Sequence, residues 1–270
     1  MRITIKLGGS ILEDAGIRNR LIGEIAAMAL QKHQVILVHG GGKSLNRRLR
    51  QLQMEARFID GLRVTDEATL GVAVMVLAGE INKKLVDELG RMGIAALGLC
   101  GADAQAVRCV PVAGMPGYPE GIGFVGKPTK VNRDFFELLM DAGITPVVSS
   151  IAIGPEGDAA QAAQFYNINA DQMASACAAE TGCEALVYIT DVPGVMDANE
   201  KVINDLNKGD ILELRSRGAI SGGMLPKTAA CLEAIGAGVG AVYILPGAEG
   251  NILTDFITGN LTKGTKIHEN

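Results

Sequence analysis

Two lysines and an aspartate, each beside a turn rich in glycine or asparagine, are the residues in this chain best suited to chemistry. Lys6 precedes Gly8-Gly9-Ser10 by two positions. Lys227 closes Gly222-Gly223-Met224-Leu225-Pro226-Lys227, a glycine turn that runs into a helix start, and Asp171 follows Asn167-Ile168-Asn169-Ala170. Between them lies Val38-His39-Gly40-Gly41-Gly42-Lys43-Ser44, in which an apolar run ends in three glycines and residues of helical spacing begin at once. Glycine lacks a Cβ, so backbone N–H groups can close onto an anion, and a helix N-terminus adds partial positive charge. The stretch is not a Walker A loop, because the position five before Gly42 is Leu37. Phosphoryl transfer needs amide donors around the equatorial oxygens, cations at both ends and reactants held in line. The amides of Gly8, Gly9, Gly41 and Gly42 suit the first task. Lys6 and Lys227 suit the second, and Asp171 can orient both ammonium groups if it lies between them. Arg63, next to the turn at Gly61, and Asn167 complete the polar candidates. Plainer readings stand beside these: lysines are mostly solvated, a glycine turn can merely pack strand against helix, and Asn169 and Asp171 can simply cap one.

The elements that must position these groups follow from periodicity. A strand over 3–7, a helix from about 17 to 31 and a strand over 35–38 make a βαβ unit. The sheet is therefore parallel, and both glycine loops lie beyond the C-terminal strand ends, where open α/β sheets hold ligands. Residues 58–65 read as a short β excursion. Residues 66–90 form a long helical region with a core stripe of Leu70, Val74, Leu77, Ile81, Leu85 and Leu89. Strands are expected over 94–100, 144–148, 185–189 and 242–245, an edge strand over 264–267, and helices over 131–140 and from about 170 to 180. A loop spans 154–164, and a hairpin and two helices, the second starting near Pro226, follow 190–194. Residues 101–128, rich in Gly and Pro, read as hairpins forming a flap. Within them Gly121-Ile122-Gly123-Phe124-Val125-Gly126 spells the dinucleotide fingerprint without its βαβ context, which disfavours a nicotinamide dehydrogenase. A lobe boundary is placed near 180–184.

Composition narrows the class. The 270 residues are 48% hydrophobic and 20% charged, enough for a globular chain with a substantial core. A net charge of −5 argues against nucleic acid as a partner but not against a nucleotide, which needs only local cations. Three His and five Cys without C-x-x-C spacing give no metal-ligand cluster, and free thiols fit a reducing cytoplasm. The N-terminus reads as a strand rather than a signal peptide, and no apolar run approaches membrane-spanning length, so a cytoplasmic protein is expected.

Lys6-Leu7-Gly8-Gly9-Ser10, His39-Gly40-Gly41-Gly42, Gly61-Leu62-Arg63-Val64-Thr65, Asn167-Ile168-Asn169-Ala170-Asp171, Thr190-Asp191-Val192-Pro193-Gly194 and Gly223-Met224-Leu225-Pro226-Lys227 occur in an order that closely resembles the N-acetylglutamate kinases of the amino-acid kinase superfamily. The resemblance runs over nearly the whole chain. It implies a three-layer αβα sandwich with a mostly parallel central sheet and two lobes. Residues 1–183 would bind N-acetyl-L-glutamate and carry dimerisation, and 184–270 would bind ATP. The implied reaction moves the γ-phosphoryl group onto the side-chain carboxylate, giving an acyl phosphate in arginine biosynthesis. By motif match Lys6 and Lys227 stabilise the transition state and Asp171 organises them. Gly41, Gly42, Arg63 and Asn167 would hold the substrate, with Arg63 suited to a bidentate pair with its α-carboxylate, and Gly8 and Gly9 the phosphate. Asp191, Val192, Pro193, Gly194, Met196, Gly222 and Gly223 would line the nucleotide pocket. Mg²⁺ would be carried by ATP, with no protein metal site. Cys100-Gly101-Ala102-Asp103-Ala104 departs from the family's Ser-Gly and Asp-Gly pattern. In the family a helix ahead of the first strand goes with arginine-inhibited hexamers. The chain shows none, so a homodimer without that control is expected. The alternatives are a sister kinase acting on an aminoadipate derivative of lysine biosynthesis, and a non-catalytic amino-acid or nucleotide sensor on the same fold.

Overall fold

Central strands buried on both faces, separated by helices, build a layered molecule around one sheet. The computed structural model describes residues 1–270 except 60, 156–163, 198, 221 and 270. Strand β1 (Arg2–Leu7) passes through a short α1 (Gly9–Glu13) and α2 (Ala15–Leu30) to β2 (Gln34–His39), which pairs with it in parallel from Arg2↔Gln34 to Leu7↔His39. Then come α3 (Gly42–Gln51), the hairpin β3 (Phe58–Ile59) and β4 (Leu62–Arg63), α4 (Glu67–Ala73), a π-helical stretch (Val74–Ile81) and α5 (Asn82–Arg91). Beyond β5 (Ala96–Leu99) the chain forms β6 (Val107–Pro111), β7 (Val125–Val131), α6 (Arg133–Asp141), β8 (Thr145–Ser149), β9 (Ile151–Ile153), β10 (Phe165–Ile168) and α7 (Ala170–Glu180). It ends with β11 (Ala185–Thr190), β12 (Asp205–Asn207), α8 (Lys208–Ser216), α9 (Met224–Gly236), β13 (Ala241–Pro246), α10 (Ile252–Thr258) and β14 (Thr265–His268).

Eight strands form the central sheet in the order β12-β14-β13-β11-β1-β2-β8-β5, parallel except where β14 runs against β13. Side chains alternate across each strand. Ile3, Ile5 and Leu7 of β1 pack with α2, α5 and α10 in one core, while Ile36, Val38 and Tyr188 pack with α6, α7 and α9 in the other. This is the expected αβα sandwich. Lys6 falls on the α7 face of β1, and that placement brings it to the site.

Several elements differ from the sequence reading. The strand at 265–268 is not an edge: the three-residue β12, too short for a periodic signal, pairs outside it and takes the edge position. The hairpin region is more closed than a flap, since β6, β7, β9 and β10 form a small barrel beside the sheet. The long helical region changes to π geometry at 74–81, a winding the apolar stripe cannot reveal. Of the loop expected over 154–164, residues 156–163 lie outside those described. The fingerprint-like stretch runs straight into β7, a strand where the fingerprint needs a helix to open. At Gly123 (φ +74°) a Cβ would lie 2.3 Å from the Thr65 carbonyl oxygen, so glycine there permits close backbone docking. No described helix is long and apolar enough to cross a membrane.

Candidate active site

Helix starts divide into two kinds. Asp14, Asp66, Asn132, Asn169 and Asn207 cap α2, α4, α6, α7 and α8 through their side chains. By contrast α1, α3 and α9 open on Gly8, Gly41 and Gly223 with no side-chain cap. First-turn amides have no intrahelical acceptor, so uncapped starts leave donors for something else. The two N-terminal glycine loops face one another: a Cβ on Gly9 would lie 3.4 Å from the Gly42 nitrogen and 3.9 Å from those of Gly41 and Lys43. Any side chain at 9 would stand in front of those amides. Gly8 takes a different part from the one expected. Its N–H donates to the Ile189 carbonyl at 3.0 Å, extending the β1–β11 ladder, so that amide is not free for an anion.

At the same strand ends Asp171 lies between the two lysines. Lys6 Nζ is 2.7 Å from Oδ1, and Lys227 Nζ is 2.9 Å from Oδ2. The Lys6 contact is a charge pair outside hydrogen-bond angles, whereas Lys227 donates a directed bond. All three side chains are at most 15% exposed. Residues 6, 171 and 227 come together because β1 and α7 share a face and α9 packs on α7. Asn169 accepts the Asp171 and Gln172 amides at 2.8 and 3.3 Å, which sets the start of α7 and places Asp171 in its first turn. Capping and charge organisation thus occur in one motif. Burial alone would raise the Asp171 pKa, but the two ammonium groups outweigh it and hold the carboxyl at about 2. Burial and the Lys227 charge lower the Lys6 pKa, opposed by Asp171.

On one side of this triad a pocket of about 180 Å³ is lined by Gly41, Gly42, Phe58, Arg63, Ser150 and Asn167, among others. Arg63 is 8% exposed, stacks on Phe58 at 4.6 Å and donates to Asn46 Oδ1 at 2.5 Å. Its Nη1 is buried without a partner, a cost that an anion in the pocket would relieve. Asn167 donates to Thr65 Oγ1 at 3.2 Å. A Cβ on Gly41 would meet Ile81 and Leu77 at 2.2 and 2.7 Å, so the π-helical stretch presses directly on the loop. His39 lies beneath it, fully buried, its pKa lowered to about 4 by desolvation. Both ring nitrogens are occupied, by the Gly40 carbonyl and by Asn82.

On the other side, Asp191 directly follows β11, bonds to Ser10, and is close enough to Lys6 to favour its charge. Gly194 and Val195 are pinned at Thr265, whose Oγ1 accepts from the Val195 amide at 2.8 Å, and Met196 bridges to Val202. Gly222 adopts φ +54°, a left-handed turn suited to glycine, ahead of exposed Gly223 and α9. Val192 is half-buried and Pro193 exposed. Lys43, Asn46, Ser10 and Tyr188 were not singled out from sequence. Lys43 was visible in the triple-glycine stretch, and Asn46 lies one turn after Gly42. Ser10 stands in the first glycine motif, and Tyr188 carries no local signal. Among the described residues no cluster of three metal-ligating side chains occurs.

With this geometry in hand, comparison with known proteins is direct. The family model described as "Amino acid kinase family" matches residues 1–246. Acetylglutamate kinase of Koribacter versatilis (strain Ellin345) is 42% identical over 269 residues, covering 99% of this chain and 98% of that protein. Acetylglutamate kinase of Acidobacterium capsulatum is 42% identical over 267 residues, covering 99% of both. The crystal structure of smu.665 from Streptococcus mutans UA159 aligns over 100% of this chain and 99% of that one, with TM-score 0.79 and 26% identity.

Proposed function

The chain belongs to the amino acid kinase family, and we propose that it transfers the γ-phosphoryl group of ATP to the side-chain carboxylate of N-acetyl-L-glutamate, a step of arginine biosynthesis. The observation that carries the reading is the Lys6–Asp171–Lys227 bridge at the mouth of the facing glycine loops. The carboxylate oxygen attacks the γ-phosphorus, the bond to the bridging oxygen of ADP breaks, and that oxygen takes the electron pair. The acceptor is already ionised at neutral pH, so no general base is needed. The site is consistent with that. Asp171, with a pKa of about 2 and held by two cations, is a poor base, and both nitrogens of His39 are engaged.

Lys6 and Lys227 neutralise charge on the migrating group, one toward the acceptor and one toward the leaving oxygen. Asp171 fixes their separation, and the amides of Gly9, Gly41 and Gly42 receive the equatorial oxygens. Arg63 and Asn167, with Gly41 and Gly42, hold the acyl amino acid, and the orphaned Arg63 Nη1 takes its α-carboxylate. Asp191, Val192, Pro193, Gly194, Met196, Gly222 and Gly223 face the nucleotide. The lobes 1–183 and 184–270 carry amino-acid and nucleotide binding respectively. Mg²⁺ enters with ATP, and Asp171, occupied by two ammonium groups, is not available to ligate it.

The protein is proposed to act in the cytoplasm as a homodimer, supported by the half-exposed Met92 and Leu97 beside the open β5 edge. A monomer at micromolar concentration in sedimentation would refute the dimer. The test of the reaction is capture of the acyl phosphate by hydroxylamine, with ATP and either N-acetylglutamate or the corresponding aminoadipate derivative. Preferential product from N-acetylglutamate is expected. A preference for the longer acid assigns the sister reaction, and no product from either refutes the kinase reading.

A further inference from the structure

Tyr188 is the one residue with a polar side chain in the fully buried apolar run Ala185–Ile189 of β11, and it lies directly across from Lys6 in the β1–β11 register. An aliphatic residue would serve the core equally well. A buried phenol must find partners, and here it finds them on α7. Its oxygen lies 3.1 Å from the Asp171 carbonyl and 2.7 Å from Ser175 Oγ, one turn further along. Ser175 in turn donates to the Ala230 carbonyl of α9 at 3.0 Å, so the phenol hydrogen is the one shared between Ser175 and Asp171. Ala230 is three residues after Lys227 on the same helix, and the Lys227 ammonium sits 5.0 Å from the centre of the Tyr188 ring. Burial raises the Tyr188 pKa well above its ordinary value, so the phenol stays neutral beside the carboxylate.

The first turn of α9 has no side-chain cap and follows two exposed glycines, so the restraint on Lys227 comes from outside its own helix start. We propose that Tyr188 is a positioning residue: its hydroxyl ties β11 to α7 and holds the Ser175 hydroxyl in line for its bond to α9, and its ring seats the Lys227 ammonium, fixing that cation against Asp171. The proposal rests on the reading of Lys227 and Asp171 given above. The hydroxyl and the ring act separately. Tyr188→Phe removes the hydroxyl's two bonds to α7, Ser175→Ala removes the bond from α7 to α9, both keep the ring, and Tyr188→Leu removes hydroxyl and ring together.

The experiment measures kcat, both KM values and the melting temperature for these three variants with ATP and N-acetylglutamate, then repeats Tyr188→Leu in a Lys227→Arg background. Losing one positioning contact is expected to lower kcat about threefold to tenfold in Tyr188→Phe and Ser175→Ala and more than about tenfold in Tyr188→Leu. The KM for N-acetylglutamate should stay within about twofold, because Arg63 and Asn167 are untouched. In the Lys227→Arg background the Tyr188→Leu penalty should shrink below about twofold, since coupled sites are not additive. Overturning results are a Tyr188→Leu kcat within twofold of the unmodified enzyme, or an equal penalty in both backgrounds, which marks a purely structural residue. The reading of the site fails separately if Lys227→Arg and Lys6→Ala both retain full rate. Impaired lysine variants beside unimpaired Tyr188 variants overturn only the positioning role.

Discussion

Replacing Asp171 with asparagine changes one charge and almost no volume, and it isolates what the bridge does. The carboxylate lies 2.7 and 2.9 Å from two ammonium nitrogens, with all three side chains at most 15% exposed. At an effective dielectric of about 20, opposite charges about 3 Å apart attract by roughly 5–6 kcal/mol before desolvation is counted. Deleting one member of such a buried arrangement costs about 3–5 kcal/mol net, because the remaining charge is left uncompensated. Here two like charges remain, and their repulsion, already visible in the lowered Lys6 pKa, drives them apart. If about 3 kcal/mol of this falls on the transition state, kcat drops by roughly two orders of magnitude. The KM for N-acetylglutamate should change only a few-fold, since Arg63 and Asn167 line a pocket to one side. Steady-state rates by hydroxamate capture, with melting curves to verify folding, give the comparison. An Asp171→Asn enzyme within threefold of the unmodified kcat, folded and saturable, would show that the carboxylate bridge does not set the rate.

Gly9→Ala should fold as well as the parent, because its Cβ meets only ordinary contacts at 3.4 Å or more, yet it would stand before the Gly42 amide; a loss of kcat/KM of about 100-fold without a fall in melting temperature is expected. Arg63→Met keeps an apolar side chain beside Phe58 but removes the guanidinium that stacks on it and carries the orphaned donor, so the KM for N-acetylglutamate should rise about 100-fold with a smaller change in kcat, measured in the same assay. The Lys6 pKa is depressed chiefly by burial, so the alkaline limb of the kcat profile should lie below the ordinary lysine value of 10.5 and vanish in the profile of Lys6→Arg. Asp171 has a folded pKa of about 2 against 3.8, so its stabilisation is complete above about pH 4 and disappears as pH falls to 2; acid denaturation curves should show roughly 2 kcal/mol less pH dependence in Asp171→Asn.

The legible parts of the chain were those with short-range causes. The two apolar runs ending in glycine had one parallel solution, and alternation along β1 already put Lys6 on a defined face. The motif at 167–171 could be read both as a cap and as a charge, and it is both. What escaped depended on distant partners. β12 is three residues that exist as a strand only because β14 is there to pair with. The barrel of β6, β7, β9 and β10 needs segments more than forty residues apart. Gly8 looked like its neighbour Gly9, but its amide is claimed by Ile189 across a pairing that only the folded sheet creates. Tyr188 has no signal in its strand because its hydroxyl bonds to Asp171 and Ser175 of α7, and only Ser175 carries the link on to α9.

The central claim is that two ammonium groups, bridged by one carboxylate, act on a single migrating phosphoryl group. Single-turnover formation of acyl phosphate from ATP and N-acetylglutamate, measured for the unmodified protein, Lys6→Ala and Lys227→Ala, tests it most directly. Rapid hydroxamate formation by the unmodified protein is expected, with a loss of at least about 100-fold in each variant and N-acetylglutamate binding retained. Rates in both variants within a few-fold of the unmodified protein would contradict it.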